Sequence, residues 1–100
     1  MNPSEFQKAI EAPDVYLVDV RDAESYAEGH IAGAHNLDVM APDFKEKAAT
    51  LPKDKTIAVY CLTGKHSAMA RDILTDMGYK VINLDNGINS WIAAGLPTVK

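Results

Sequence analysis

Apolar residues in this chain fall into two kinds of block that alternate from end to end. Three near-continuous runs have the length and β-branched content of strands covered on both faces: Val15-Tyr16-Leu17-Val18-Asp19-Val20, Thr56-Ile57-Ala58-Val59-Tyr60 and Val81-Ile82-Asn83-Leu84. Elsewhere apolar positions recur every three or four residues, at Phe6, Ala9 and Ile10, at Phe44, Ala48 and Leu51, from about Lys65 to Met77, and at Ile88, Trp91 and Ile92. These predict helices. Start and stop signals agree. Asn2, Pro3 and Glu5 form an N-cap, a first-turn proline and a capping-box acid, and Pro13 ends that helix. Asp22 caps a short helix through Tyr26 that Gly29 terminates, and Ala34-His35-Asn36-Leu37 has room only for a brief strand. Pro42 opens the next helix and Pro52 follows it, Gly78 ends the long one, and Gly95 and Pro97 close the last.

Strands interleaved with helices need crossover connections. The predicted fold class is therefore α/β, a single domain over residues 1–100 with a mostly parallel central sheet of four or five strands and helices on both faces. Ligands of such folds bind at the carboxyl ends of strands. With 47% hydrophobic residues in 100, the chain can bury a core without staples. The net charge of −4, spread without a basic patch, argues against nucleic acid or an anionic membrane as partner. No span approaches transmembrane length, and the start of the chain lacks the basic and apolar segments of a signal peptide. One cysteine makes no internal disulfide, so a reducing, cytoplasmic setting is expected.

That cysteine carries the chemistry. Cys61 follows the 56–60 strand and precedes Leu62-Thr63-Gly64-Lys65-His66-Ser67, a glycine-containing turn that leads into a helix. Unpaired N–H groups and the positive end of the helix dipole converge at such a place and favour a thiolate. A lone intracellular cysteine is more commonly a small core hydrophobe. Strand end, glycine turn and adjacent cations together favour the reactive reading here.

Three segments resemble a known family. Val18-Asp19-Val20-Arg21-Asp22, with Tyr26 and Gly29-His30-Ile31-Ala32-Gly33-Ala34, is similar to the first signature of rhodanese-like domains. Cys61-Leu62-Thr63-Gly64-Lys65-His66-Ser67 resembles their active-site loop, and Leu84-Asp85-Asn86-Gly87, Trp91 and Ala94-Gly95-Leu96-Pro97 resemble their closing segment. The resemblance implies a single-domain sulfurtransferase that carries sulfane sulfur as a persulfide on catalytic Cys61. Leu62, Thr63, Gly64, Lys65, His66 and Ser67 would bind substrate, and no cofactor or metal is called for. The implied partners are a small donor such as thiosulfate, a thiol or cyanide acceptor, and a protein persulfide as a further option. Attack of one thiolate on a sulfane sulfur places negative charge at sulfur in both halves of the cycle, and an amide-lined loop stabilises it without a general base.

Two positions depart from the pattern. His66 stands where the family often has arginine, so any attraction it exerts on an anion varies with pH, while Lys65 is either the permanent cation or a solvated first-turn lysine. Asn86 stands where glycine is frequent; asparagine tolerates the left-handed conformation such a turn would ask of it. Asp19 and Arg21, at the end of the first long strand, are read as structural support of the site, through an ion pair or bonds to bordering loops. His30 and His35 lack metal-site spacing, and Trp91 reads as core. Two rivals remain in view. A cysteine phosphatase or arsenate reductase would want an arginine fork where Ser67 stands, and a non-catalytic or redox-sensing module would use Cys61 as a switch, without a resolving cysteine.

Overall fold

The computed structural model describes all residues, Met1–Lys100. Helix α1 (Pro3–Ile10) opens on the predicted box: the Asn2 side chain accepts from the Glu5 N–H at 2.8 Å, and the Glu5 carboxylate accepts from the Asn2 N–H at 3.1 Å. Then follow β1 (Val15–Asp19), α2 (Ala23–Glu28), β2 (His35–Asn36), α3 (Phe44–Ala48), β3 (Thr56–Tyr60), α4 (Lys65–Asp76), β4 (Val81–Asn83) and α5 (Gly87–Ala93). All strand pairs are parallel, and the order across the sheet is β2-β1-β3-β4. The sheet therefore has four strands, at the lower end of the expected range.

Both faces are apolar, which is why the strands read as continuous runs. Val18, Val20, Ile57, Val59 and Cys61 pack with Phe44 and Ala48 of α3 and Ala70 and Leu74 of α4 on one side. Leu17, Ala58, Tyr60 and Leu84 pack with Phe6 of α1 and Ile88 and Trp91 of α5 on the other. Phe6 meets Tyr60 and Trp91 edge-on, with ring centroids 6.5 and 6.4 Å apart. Such contacts add to area burial and fix one arrangement.

Some local expectations are corrected. Ile92 is 56% exposed, because α5 begins at Gly87 and turns only Ile88 and Trp91 inward. Pro42 lies ahead of the helix it was expected to open, which starts at Phe44 after Asp43. Asn86 has φ −109°, so the turn before α5 makes no left-handed demand on it; that demand falls on Gly87, at φ +67°.

The strand order decides where a ligand can sit. From β1 the chain crosses to β2 on one side and then to β3 on the other, so the connections leaving β1 and β3 diverge and a crevice opens at their carboxyl ends. Arg21 follows one strand and Cys61 the other.

Candidate active site

Cys61 is the first residue past β3, with 2% of its surface exposed. The chain then turns through Gly64, the N-cap of α4, whose φ of +103° is in the left-handed region. This turn directs main-chain N–H groups back at the sulfur: the Gly64 N–H donates to Cys61 Sγ at 3.0 Å. Ser67, fully buried, reaches back from the first turn of α4, and its Oγ donates to the Gly64 carbonyl at 3.1 Å. A hydroxyl has one proton and rotates freely, so it can serve the carbonyl or a thiolate but not both.

The carbonyl side of the loop is tied elsewhere. Ile88 and Asn89 in the first turn of α5 donate to the carbonyls of Cys61 and Leu62 at 2.8 and 3.2 Å. Gly64 and Gly87 make this approach possible. A Cβ on Gly64 would lie 1.8 Å from the Asp85 carbonyl oxygen, and one on Gly87 would lie 2.4 Å from the Leu62 carbonyl. Asp85 and Asn86 thus lie against Gly64, outside the pocket lining.

Burial alone would raise the Cys61 pKa. The Ser67 hydroxyl and the N–H groups of Ser67, Gly64 and Thr63 outweigh it and hold the thiol below its ordinary value.

Above the sulfur is a pocket of about 240 Å³ lined by Arg21, Asp22, Ser25, Cys61, Leu62, Thr63, Lys65 and His66. It takes in Lys65 and His66, both exposed, so each brings a side chain to the rim in contact with solvent. Gly64 and Ser67 act from beneath. Asp22 and Ser25, from the first turn of α2, also line the pocket and were missed by the sequence reading. Their signal was their place just past the end of β1, the strand that flanks β3.

Asp19 is fully buried and lies outside the pocket lining. It grips Arg21 as a fork, with Arg21 Nη2 to Oδ2 at 2.7 Å and Nε to both carboxylate oxygens at 3.0 Å. Arg21 Nη2 also donates to the Gly29 carbonyl at 2.6 Å. The guanidinium lies 5.9 Å from the Tyr60 ring centroid, and the Tyr60 hydroxyl accepts from the Ile31 N–H at 3.0 Å. His30 and His35 are elsewhere, stacked on Tyr26 and Tyr16.

The family pattern of the rhodanese-like domain matches residues 2–94, which takes in the thiol, its ring of main-chain donors and the segments on either side. The chain belongs to the rhodanese-like family. A sulfurtransferase of Allochromatium vinosum is 35% identical to this rhodanese-like domain over 94 residues, covering 93% of this chain and 86% of that one. Thiosulfate sulfurtransferase PspE of Escherichia coli is 36% identical over 87 residues, covering 85% and 79%. An HTH-type transcriptional regulator of Mycobacterium tuberculosis is 40% identical over 97 residues; the match takes in 94% of this chain but 42% of the regulator. Among solved structures, a rhodanese-related protein of Thermoplasma volcanium superposes with a TM-score of 0.89 at 31% identity, covering 99% of this chain and 95% of that one. Relatives named as sulfurtransferases support rhodanese-type chemistry for the rhodanese-like domain. No helix in it is long and apolar enough to cross a membrane.

Proposed function

We propose that residues 1–100 act as one sulfurtransferase domain that moves a sulfane sulfur through a persulfide on Cys61, with thiosulfate as a donor and a thiol or cyanide as acceptor. The observation that carries the reading is the Gly64 N–H at 3.0 Å from Cys61 Sγ, one of several donors converging on a thiol of lowered pKa. In the first half-reaction the Cys61 thiolate attacks the outer sulfur of thiosulfate. The S–S bond of the donor breaks, sulfite leaves with the electron pair, and the terminal sulfur of the new Cys61 persulfide carries the charge. In the second half an acceptor thiolate or cyanide attacks that terminal sulfur, and the Cys61 thiolate is the leaving group. Neither half needs a redox partner. Negative charge lies at or beside Sγ throughout, so one set of main-chain donors serves every step. A reducing compartment such as the cytoplasm would keep the thiol available between cycles.

Mass spectrometry of the intact protein tests the reading. Thiosulfate adds one sulfur atom, cyanide removes it as thiocyanate, and Cys61→Ser takes up none. An unchanged wild-type mass at saturating donor refutes it. The match to part of a transcriptional regulator favours a second reading, in which the domain senses sulfur donors. Persulfide formation that no small acceptor reverses would support that reading instead.

A further inference from the structure

Arg21 is placed for more than holding loops together. Its bonds to Asp19 and the Gly29 carbonyl run from Nε and Nη2, and none uses Nη1. Its side chain is 11% exposed, and it lines the pocket above Cys61 as well as the adjoining depression bordered by Gly29, Leu62 and Ile92. Burial alone would lower the guanidinium's pKa, but hydrogen bonds and charge from Asp19 outweigh that and raise it. The fully buried carboxylate of Asp19 draws the charged head to one edge of the crevice and, with the Gly29 carbonyl, takes up Nε and Nη2, while the Tyr60 hydroxyl also bears on the guanidinium. Burial and then the charge of Asp19 push the Tyr60 phenol far above its ordinary pKa, so the buried ring beneath the guanidinium stays neutral.

We propose that Arg21 is the donor-binding cation of this site, its Nη1 group holding the oxyanion end of a sulfonate-bearing donor while Asp19, Tyr60 and the Gly29 carbonyl position it. The inference rests on the sulfurtransferase reading for its substrate. It assigns to the end of β1 the permanent charge that the 61–67 loop lacks at His66. Lys65 and His66 are exposed, where water and salt screen them. Arg21 is held in one place and partly desolvated, so a bond from it is stronger and directional. Its pairing with Asp19 cancels its long-range field. The attraction therefore acts at contact range, on an anion already in the pocket, as charge builds on the departing sulfite.

Sulfate reports anion binding without any turnover. Alkylation of Cys61 by neutral iodoacetamide is timed against sulfate concentration in the wild type, in Arg21→Lys and in the double variant Asp19→Asn/Arg21→Gln, which strands no buried carboxylate. Sulfate is expected to slow alkylation of the wild type, with a dissociation constant about ten- to a hundredfold weaker in the variants, as loss of a hydrogen bond from a charged group implies. Each variant's rate without sulfate is its own reference for protection, and the thiosulfate KM should rise more than kcat falls. Equal sulfate protection in either folded variant, or no protection of the wild type, overturns the proposal. Should the wild type take up no sulfur from thiosulfate, the sulfurtransferase reading fails, while sulfate protection still decides whether Arg21 binds an oxyanion.

Discussion

Gly64→Ala is the substitution that most directly probes how the thiol's surroundings are built. Two separate effects act on it. At φ +103° an alanine pays the left-handed penalty of about 1–2 kcal/mol. Its Cβ would also lie 1.8 Å from the Asp85 carbonyl oxygen and 2.8 Å from the Asp85 carbonyl carbon, both main-chain atoms. Main chain cannot swing aside like the end of a side chain, so the loop or the turn must move, at an overpacking cost of about 1–3 kcal/mol. The sum, about 2–5 kcal/mol, lowers the melting temperature by roughly 8–40 °C at about 4–8 °C per kcal/mol for a domain of this size. Gly78→Ala is the control. Gly78 has φ +95° and nothing within 4 Å of the place a methyl group would take, so only the backbone penalty applies and the expected loss is roughly 5–15 °C. Thermal unfolding by circular dichroism compares the two, and iodoacetamide alkylation across a pH series reads the thiol. Gly64→Ala should also move the alkylation profile to higher pH, because the displaced residue carries the N–H that donates to Sγ at 3.0 Å. Gly78→Ala should leave that profile in place. Equal losses of stability with unchanged profiles would refute both the close approach to Asp85 and the part given to Gly64.

Further tests separate the remaining donors. Ser67→Ala should raise the pH at which Cys61 becomes reactive, because the hydroxyl is among the groups holding its pKa down. With the native pKa depressed, the linked stability is complete above the unfolded thiol's value and is lost as pH falls through the native one; removing Ser67 should narrow that window. An alkylation profile identical to wild type would leave the effect to the main chain alone. His66→Arg should lower the thiosulfate KM, because arginine puts a permanent, forked cation at the pocket rim. The exposed position limits the effect to less than about tenfold, and an unchanged KM would remove the charge at position 66 from donor binding.

Local signals made much of the fold legible. The box at Asn2 and Glu5, the strand runs and the glycine after α4 each act within a few residues, and the structure puts them where the pattern did. Cys61 stood out because strand, turn and helix succeed one another around it. What stayed hidden depends on distance across the sheet. Nothing local shows that β1 and β3 are neighbours, so Asp22 and Ser25 were not brought to the thiol, and Arg21 was placed beside the site without the pocket it lines. Asp19 illustrates the same limit. Its polarity within an apolar run was plain, but its complete burial beneath Arg21 follows from Tyr60, Gly29 and Ile31 closing over the pair. Ile92 went wrong for a smaller reason: helical spacing names a face, while the width of that face is set by what packs against it.

The first turn of α5 engages the carbonyls of Cys61 and Leu62, and the N–H groups that follow face the sulfur. The peptide units of the loop are thereby sorted by polarity. An anion cradle built this way is written in the main chain and secured by two glycines. The outward side chains of Leu62, Thr63, Lys65 and His66 can then be exchanged without disturbing the main-chain donors that hold the Cys61 thiolate.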